Sequence, residues 1–476
     1  MDHTFSEQIK GHWSLVLIVL SLPCLLWGIS GILPTFDDYT TLQSTWYIQI
    51  SDPGYFFPDS IRRPWDFLFG CLLGFFPALF PTLNHIVIIL GHAASALLVY
   101  ALCRRLQMRG WATHIATLYF FFSPATLGAT LACDGLNQTY AQFFGLLSLW
   151  FYLKQRKGLW ILFIVMAVLS KENGLAWAIV PPIIAYGFQL TDRRTALRHV
   201  GIGLLVALIY FIVFFIIYHS GLFGIQYDEQ YSQNTLASHL KDFVQLMAYT
   251  WVPLDYMSAV YPPTRNWTIV IITALMTLPF LMLLGRRWSL LKQRQLLSLV
   301  ACFFILVSPH LITLVSIMHN YAALSVAALI IAYIVSYLPE NRLLVVAFVL
   351  YMAAALFTDI RHYVAARESG ELSREMAMEV INSTDTPTEK VLCISIDDEA
   401  EPRYSNFCVR PVDAFAWGLS VRHFSHYTWK TQITTISLPH YDQQQIESKA
   451  DSALQNGYQA VWIAGHDHHH VKIITP

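Results

Sequence analysis

Runs of about 20 apolar residues, the length of helix that crosses a hydrocarbon bilayer, recur along the first 358 positions of this chain. They centre on 13–33, 83–103, 112–131, 136–153, 199–218, 267–285, 296–312, 321–338 and 342–358. A chain with 55% hydrophobic and only 13% charged residues departs from soluble domains, which hold about 45–50% and about 25%. The expected fold is an α-helical polytopic membrane protein. Between Gly158 and Leu190 the pattern changes: LWILFIVMAVLS, then the polar KENG, then LAWAIVPPIIAYGFQL. Each apolar half is short for a crossing, so two short helices with Lys171, Glu172 and Asn173 at their turn are expected. They bring the expected total to about 11 spans. The run from Trp13 to Leu33 is longer than a signal-peptide core and ends in no small-residue cleavage site, so it reads as a retained first helix.

Charge then sorts by side. With the N-terminus placed in the cytoplasm, the inner connections hold Arg104, Arg105, Arg109, Lys154, Arg156, Lys157, Arg193, Arg194, Arg198, Arg286, Arg287, Lys292, Arg294 and Arg342, against Asp192 and Glu340. The outer ones hold Asp37, Asp38, Asp52, Asp59, Asp66, Asp134, Asp228, Glu229, Asp242 and Asp255. This is a positive-inside pattern. It turns the KENG segment outward and leaves the C-terminus outside.

Two outer connections, 34–82 and 219–266, are long, and RRPWDFLFGCLLGFFPALF and HLKDFVQLMAYTWVPLDYM within them read as interfacial helices. After Asp359 the composition becomes polar. The expected division is a membrane domain over 1–358 and a small extracytoplasmic α/β domain over 359–476. In the latter, VLCISI, QITTISL and AVWIA read as strands and 442–456 as a helix. The seven cysteines lack zinc-site spacing. Cys393 and Cys408 share the polar region and either pair in an oxidising compartment or stay reduced. The HDHHH tract at 466–470 reads as a solvated histidine run.

Three segments in order, FDDYTTL after the first helix, RRPWDFLFG followed by NHIVIILGHAASALLVYALCRRL, and LSKENGLAWAIVPP, resemble the GT-C membrane glycosyltransferases. The likeness is to the protein O-mannosyltransferase and aminoarabinose-transferase kind. It covers about residues 10–200 closely and 200–358 by topology alone. The C-terminal region carries no tetratricopeptide pattern, unlike one branch of those enzymes. The resemblance implies inverting transfer of a sugar from a polyprenyl- or dolichyl-phosphate donor to a glycan, lipid or protein acceptor at the outer membrane face.

Such chemistry needs a carboxylate to deprotonate or orient the acceptor and a cation to hold the departing phosphate. By the resemblance, Asp37 matches the first-loop acid and Asp38 its acidic neighbour. Capping of the following segment is the plainer alternative. Lys171, followed by Glu172, matches the lysine of the outer turn and would contact the lipid-linked phosphate. A Lys171–Glu172 ion pair is the alternative. Arg62 and Arg63 are further phosphate candidates or interfacial snorkelling residues. Asp134 stands where relatives keep a second acid, able to help hold a divalent cation or sugar hydroxyls, or else it caps a helix. His92 matches a second-helix histidine, though a lone buried histidine is commonly a packing residue. His310 and His319, next to Asn320, fall where relatives place late acceptor or phosphate contacts.

No P-loop, GxGxxG or HExxH motif occurs, and no nucleic-acid partner is expected. The competing classes are a non-enzymatic transporter or flippase of lipid-linked glycans, and a lipid-linked glycan ligase or polymerase. A transporter normally sets its charges mid-bilayer on broken helices, whereas Asp37, Asp38, Asp134 and Lys171 converge on one face. The expected location is a bacterial inner membrane, with the N-terminus cytoplasmic and the C-terminal domain periplasmic.

The charge distribution predicts that alkaline phosphatase fused after Ala365 is active and that the same fusion after Arg294 is silent. Reversed activities would invert the topology.

Overall fold

Backbone removed from water must satisfy its own hydrogen bonds, so apolar runs fold as helices. The structure, a computed structural model, describes residues 11–35, 38–39, 64–74, 76, 79–219, 236–260, 265–311, 317–384, 386–396, 413–467 and 470–476. Its longer helices, in chain order up to the sheet, are α1 (Trp13–Ser30), α2 (Pro64–Gly74), α3 (Thr82–Arg105), α4 (Gly110–Phe121), α5 (Leu136–Leu153), α6 (Lys157–Ser170) and α7 (Val180–Gly187). Then follow α8 (Arg193–His219), α9 (Leu236–Trp251), α10 (Trp267–Gly285), α11 (Arg294–Val307), α12 (Tyr321–Val335) and α13 (Arg342–Ser383). The helices α2 and α9 fall where the sequence predicts interfacial helices.

Among the described residues, seven helices are long and apolar enough to cross a membrane: α1, α3, α8, α10, α13, and α11 and α12 with their short 3₁₀ extensions. These helices are compatible with a multi-pass membrane protein. The expectation of about 11 spans is not met at that length, and local chemistry says why. Pro124 ends the run after α4 and starts a 3₁₀ turn capped by Ser123. In the first two turns of α5, Asn137, Gln138 and Gln142 are buried polar residues. Lys171 stops α6 in an extended conformation, and Pro181 and Pro182 fix the start of α7.

Burial orders the bundle. In the apolar stretch of α12, 83% of residues are buried, against 11% for α8, so α12 is central and α8 peripheral. The centre tolerates close approach because α12 offers Ala322, Ala323, Ser325, Ala327 and Ala328. The basic connections gather at one end of the bundle, where Arg105 Nη2 donates to Leu153 O (3.2 Å) and the Arg109 amide to Ser336 Oγ (3.2 Å).

At the other end α13 continues as a single helix of 42 residues, about 63 Å long, and leads into the sheet. Near its midpoint Arg361 donates to the buried carboxylate of Asp255 and to Ser258 Oγ (2.7 Å), and Ser258 Oγ donates to Asp255 (2.7 Å). This clamp ties the segment after α9 to α13.

The predicted strands form as β1 (Lys390–Ile396), β2 (Gln432–Leu438) and β3 (Ala460–Asp467), joined by a further strand, β4 (His470–Ile474), that begins within the histidine tract. Strand order is β2-β1-β3-β4, with β1 parallel to β2 and β3 and β4 antiparallel to β3. Side chains alternate across the sheet. Cys393, Trp462 and Val471 pack on Met376, Ala377 and Val380 of α13, and with Phe415, Val421 and Trp429. On the opposite face, Leu392, Ile394, Val461 and Ile463 pack on Ile446, Ala450 and Ala453 of a helix over Gln443–Gln455. Cys393 is buried in β1, and Cys408 lies outside the described residues. His470 begins β4 and contacts Glu379 of α13 (3.3 Å).

Gly370 permits the closest approach of α13 to the chain leaving α1. A Cβ there would lie 2.5 Å from Leu33 O. Gly370→Val should therefore cost roughly 1–3 kcal/mol, read as a lower melting temperature in detergent. Gly201→Val, in open space on α8, should leave it unchanged. Equal melting temperatures for the two variants would refute the close packing of α13 on Leu33.

Candidate functional site

Three segments distant in sequence meet at the sheet end of the bundle: the chain after α1, the Cys133–Gln138 stretch that opens α5, and the turn after α6. Asp38 is almost fully buried at 1% exposure. Its Oδ2 accepts from the Thr35 amide (2.9 Å) and Thr35 Oγ1 (3.2 Å), and its Oδ1 accepts from the Cys133 amide (2.5 Å). The carboxylate thus closes the turn after α1 and fastens it to the start of α5. Cys133 is held on its other sides as well. Asn84 Nδ2 donates to its carbonyl (2.9 Å), and His85 Nε2 lies 3.5 Å from its Sγ.

Five residues further along, about 8 Å of helix rise, Gln138 Oε1 accepts from Asn173 Nδ2 (3.2 Å). Asn173 belongs to the KENG segment, which forms a 3₁₀ helix over Glu172–Ala178. The same Nδ2 reaches His310 Nε2 (3.3 Å). An amide nitrogen carries two protons, so it donates to both, and His310 accepts through Nε2. The His310 ring stacks on His319, with centroids 4.6 Å apart. Lys171 is half-buried, with Nζ 3.8 Å from Met318 Sδ, next to His319. Glu172 occupies the first turn of the 3₁₀ helix.

The structure therefore brings Asp38, Lys171, Glu172, His310 and His319 to one end of the bundle. It sets His92 apart, inside the bundle. The Nδ1 of His92 accepts from Tyr321 Oη (2.8 Å), its Nε2 donates to Phe121 O (3.0 Å), and its ring stacks on Phe121. Both nitrogens are committed to packing. Asp37, Arg62 and Arg63 lie outside the described residues, as does the side chain of Asp134, whose backbone is in the turn Cys133–Gly135. The pair Arg62-Arg63 directly precedes α2, whose Trp65 and Phe69 pack on Phe144 and Tyr140 of α5. Among the described residues, no three His, Cys, Asp or Glu side chains gather as metal ligands.

Tyr39 has a part that no local sequence pattern signals. Its side chain is fully buried, and its hydroxyl donates to Ser373 Oγ (3.0 Å) on α13, which donates to Ala414 O (2.6 Å). Burial, with Asp38 adjacent, holds its phenol well above the usual tyrosine range. Tyr39, Phe80 and Cys133 also pack against Ala416 and Leu419, so the segment before β2 covers the Asp38 turn. That cover is strained. Ala416 (φ 44°) and Trp417 (φ 56°) adopt left-handed backbone ahead of Gly418 (φ 97°), at about 1–3 kcal/mol for each non-glycine residue. A Cβ at Gly418 would lie 2.1 Å from Thr431 O.

His423, in the short helix Leu419–Phe424, meets Tyr39 edge-on at 6.1 Å and Phe80 at 5.7 Å. Burial, and secondarily His426, push its imidazole down to about 4 from the usual 6.5. The unfolded chain protonates His423 below about 6.5 while the docked form does not. Docking stability is therefore full above that pH and falls as pH drops towards about 4. The protection factors of the 413–427 amides, which divide out the base-catalysed intrinsic exchange rate, should fall from pH 7 to 4.5 in the wild type and less so in His423→Phe. Parallel profiles would rule out His423 as the source.

No protein family, curated protein or solved structure matches this chain.

Proposed function

We propose that this protein is a membrane glycosyltransferase that moves a sugar, with inversion, from a polyprenyl-phosphate donor to a glycan, lipid or protein acceptor. The observation that carries this reading is the meeting of the Asp38 turn, the Cys133–Gln138 stretch and the Lys171 turn at one end of the bundle. That end lies opposite the basic connections. By the positive-inside rule it is the outer face, and the shorter helices around α4–α7 complete about 11 crossings as broken spans.

The two adjacent acids divide the work. Asp38 already accepts from Thr35 and Cys133, which makes it a positioning residue. Asp37 is then the base. It takes the proton of the acceptor hydroxyl as that oxygen attacks the anomeric carbon, and the bond from that carbon to the phosphate oxygen breaks. The phosphate leaves with the bonding electrons, and the Lys171 ammonium stabilises it.

Asp37→Asn should lower transfer by about 10²–10⁴-fold with an unchanged melting temperature. Asp38→Asn should lower both, because a buried acceptor of several hydrogen bonds is weakened. Near-full activity in both variants would overturn the catalytic assignment.

Lys171→Ala should impair donor use with every acceptor, and more than Lys171→Arg does. If Lys171 only balances Glu172, the Lys171→Ala/Glu172→Ala double variant recovers what the single one loses. Such recovery would move the phosphate site to Arg62 and Arg63.

A further inference from the structure

A row of neutral polar side chains lines the same end of the bundle, and several of their atoms have no partner. Asn84, His85, Asn137, Gln138, Asn173 and Asn320 are each at least nine-tenths buried. The Asn84 Oδ1, His85 Nδ1, Asn137 Oδ1, Gln138 Nε2 and Asn173 Oδ1 atoms make no hydrogen bond, and Asn320 makes none with either side-chain atom. Leaving one such atom buried and unsatisfied costs about 1–3 kcal/mol. Native interiors satisfy nearly all of them. Unpaired atoms occur elsewhere too, as at Trp160 and Ser395, but those named above share one end of the bundle, and that concentration calls for a ligand.

Hydrogen bonds and ring contacts join it in two stretches. Asn84 and His85 hold Cys133, Gln138 holds Asn173, and Asn173 reaches His310, which stacks on His319 beside Asn320. Amides and a neutral imidazole offer donors and acceptors side by side, and so do hydroxyl groups. Asp38, the buried carboxylate beside the row, is already taken up by Thr35 and Cys133. The six side chains of the row include no carboxylate, and Glu172 at its edge directly follows the Lys171 ammonium, so an ammonium group within the row would leave water without an anionic partner of its own.

We infer that this row binds the sugar of the donor, and that the sugar is an uncharged, hydroxyl-rich one rather than an amino sugar. The inference rests on the transfer reading above and adds the substrate class. Lys171 then serves the phosphate and the amide row the hydroxyls.

The test uses the purified full-length protein in nanodiscs, with binding read as thermal stabilisation by three lipids. These are polyprenyl phosphate alone, polyprenyl-phosphate hexose, and the same lipid carrying an amino-deoxy pentose. The wild type should bind the hexose lipid at least about tenfold more tightly than either of the others, one lost hydrogen-bond set being worth about that factor. In Asn320→Leu the hexose preference should vanish, binding of polyprenyl phosphate alone should persist, and the ligand-free melting temperature should hold or rise. Asn137→Leu supplies the same comparison if Asn320→Leu does not fold. Equal or tighter binding of the amino-sugar lipid, or a hexose preference that survives in the variants, overturns the inference and leaves the transfer reading standing. Failure of all three lipids to bind overturns both.

Discussion

The buried Asp38 carboxylate is the contact on which the sheet end of the molecule depends. It touches both the turn after α1 and the start of α5. A charge withdrawn from water is stable only when strong donors replace the lost hydration, and two backbone amides and a hydroxyl do so here. Because Cys133 is also gripped by Asn84 and His85, the first connection is fixed against α3 and α5 together. Tyr39, next in sequence, carries that order to α13 and the sheet through Ser373 and Ala414. Two consecutive side chains, one turned to the bundle and one to the C-terminal unit, join the parts of the molecule.

Much of this was legible in the sequence. Apolar runs announced the long helices because hydrocarbon-length hydropathy has few other uses. The short apolar runs VLCISI and AVWIA, rich in β-branched residues, announced β1 and β3, and the KENG turn was visible as polarity between two apolar halves. Other features were not legible. Whether Asp38 points inward follows from where the Cys133 amide lies, which no local pattern encodes. Asn84 and Gln138 read as scattered polar residues in apolar helices and Asn173 as part of a polar turn, and only the packing of α3, α5 and the 3₁₀ turn assembles them. The cover around Ala416–Gly418 escaped notice because left-handed backbone at a non-glycine residue is imposed by tertiary contacts rather than by propensity. Hydropathy also overstated the number of uninterrupted spans, since it weighs a proline-broken stretch like a continuous one.

The polar row and the cover act on the same place from different sides. The row lies within the bundle, built on helix starts and a 3₁₀ turn. The cover belongs to the segment before β2 and holds backbone conformations that cost free energy. Neither arrangement improves the stability of a ligand-free chain. Sites that bind polar groups commonly carry such unspent capacity and strain, and the surrounding packing keeps them in place.

The length of α13 has a mechanical consequence. From the clamp at Arg361 to its end at Ser383 the helix continues unbroken, about 33 Å at ordinary helical rise. A rod of that length magnifies rotation at its base, so a 5° tilt displaces its tip by about 3 Å, roughly the length of a hydrogen bond. Spanning helices adjust tilt when bilayer thickness changes. Because α13 is fastened to the chain after α1 at Gly370 and Ser373, and Ser373 also holds Ala414 of the cover, such a tilt would carry the Asp38 turn and its cover along together rather than part them.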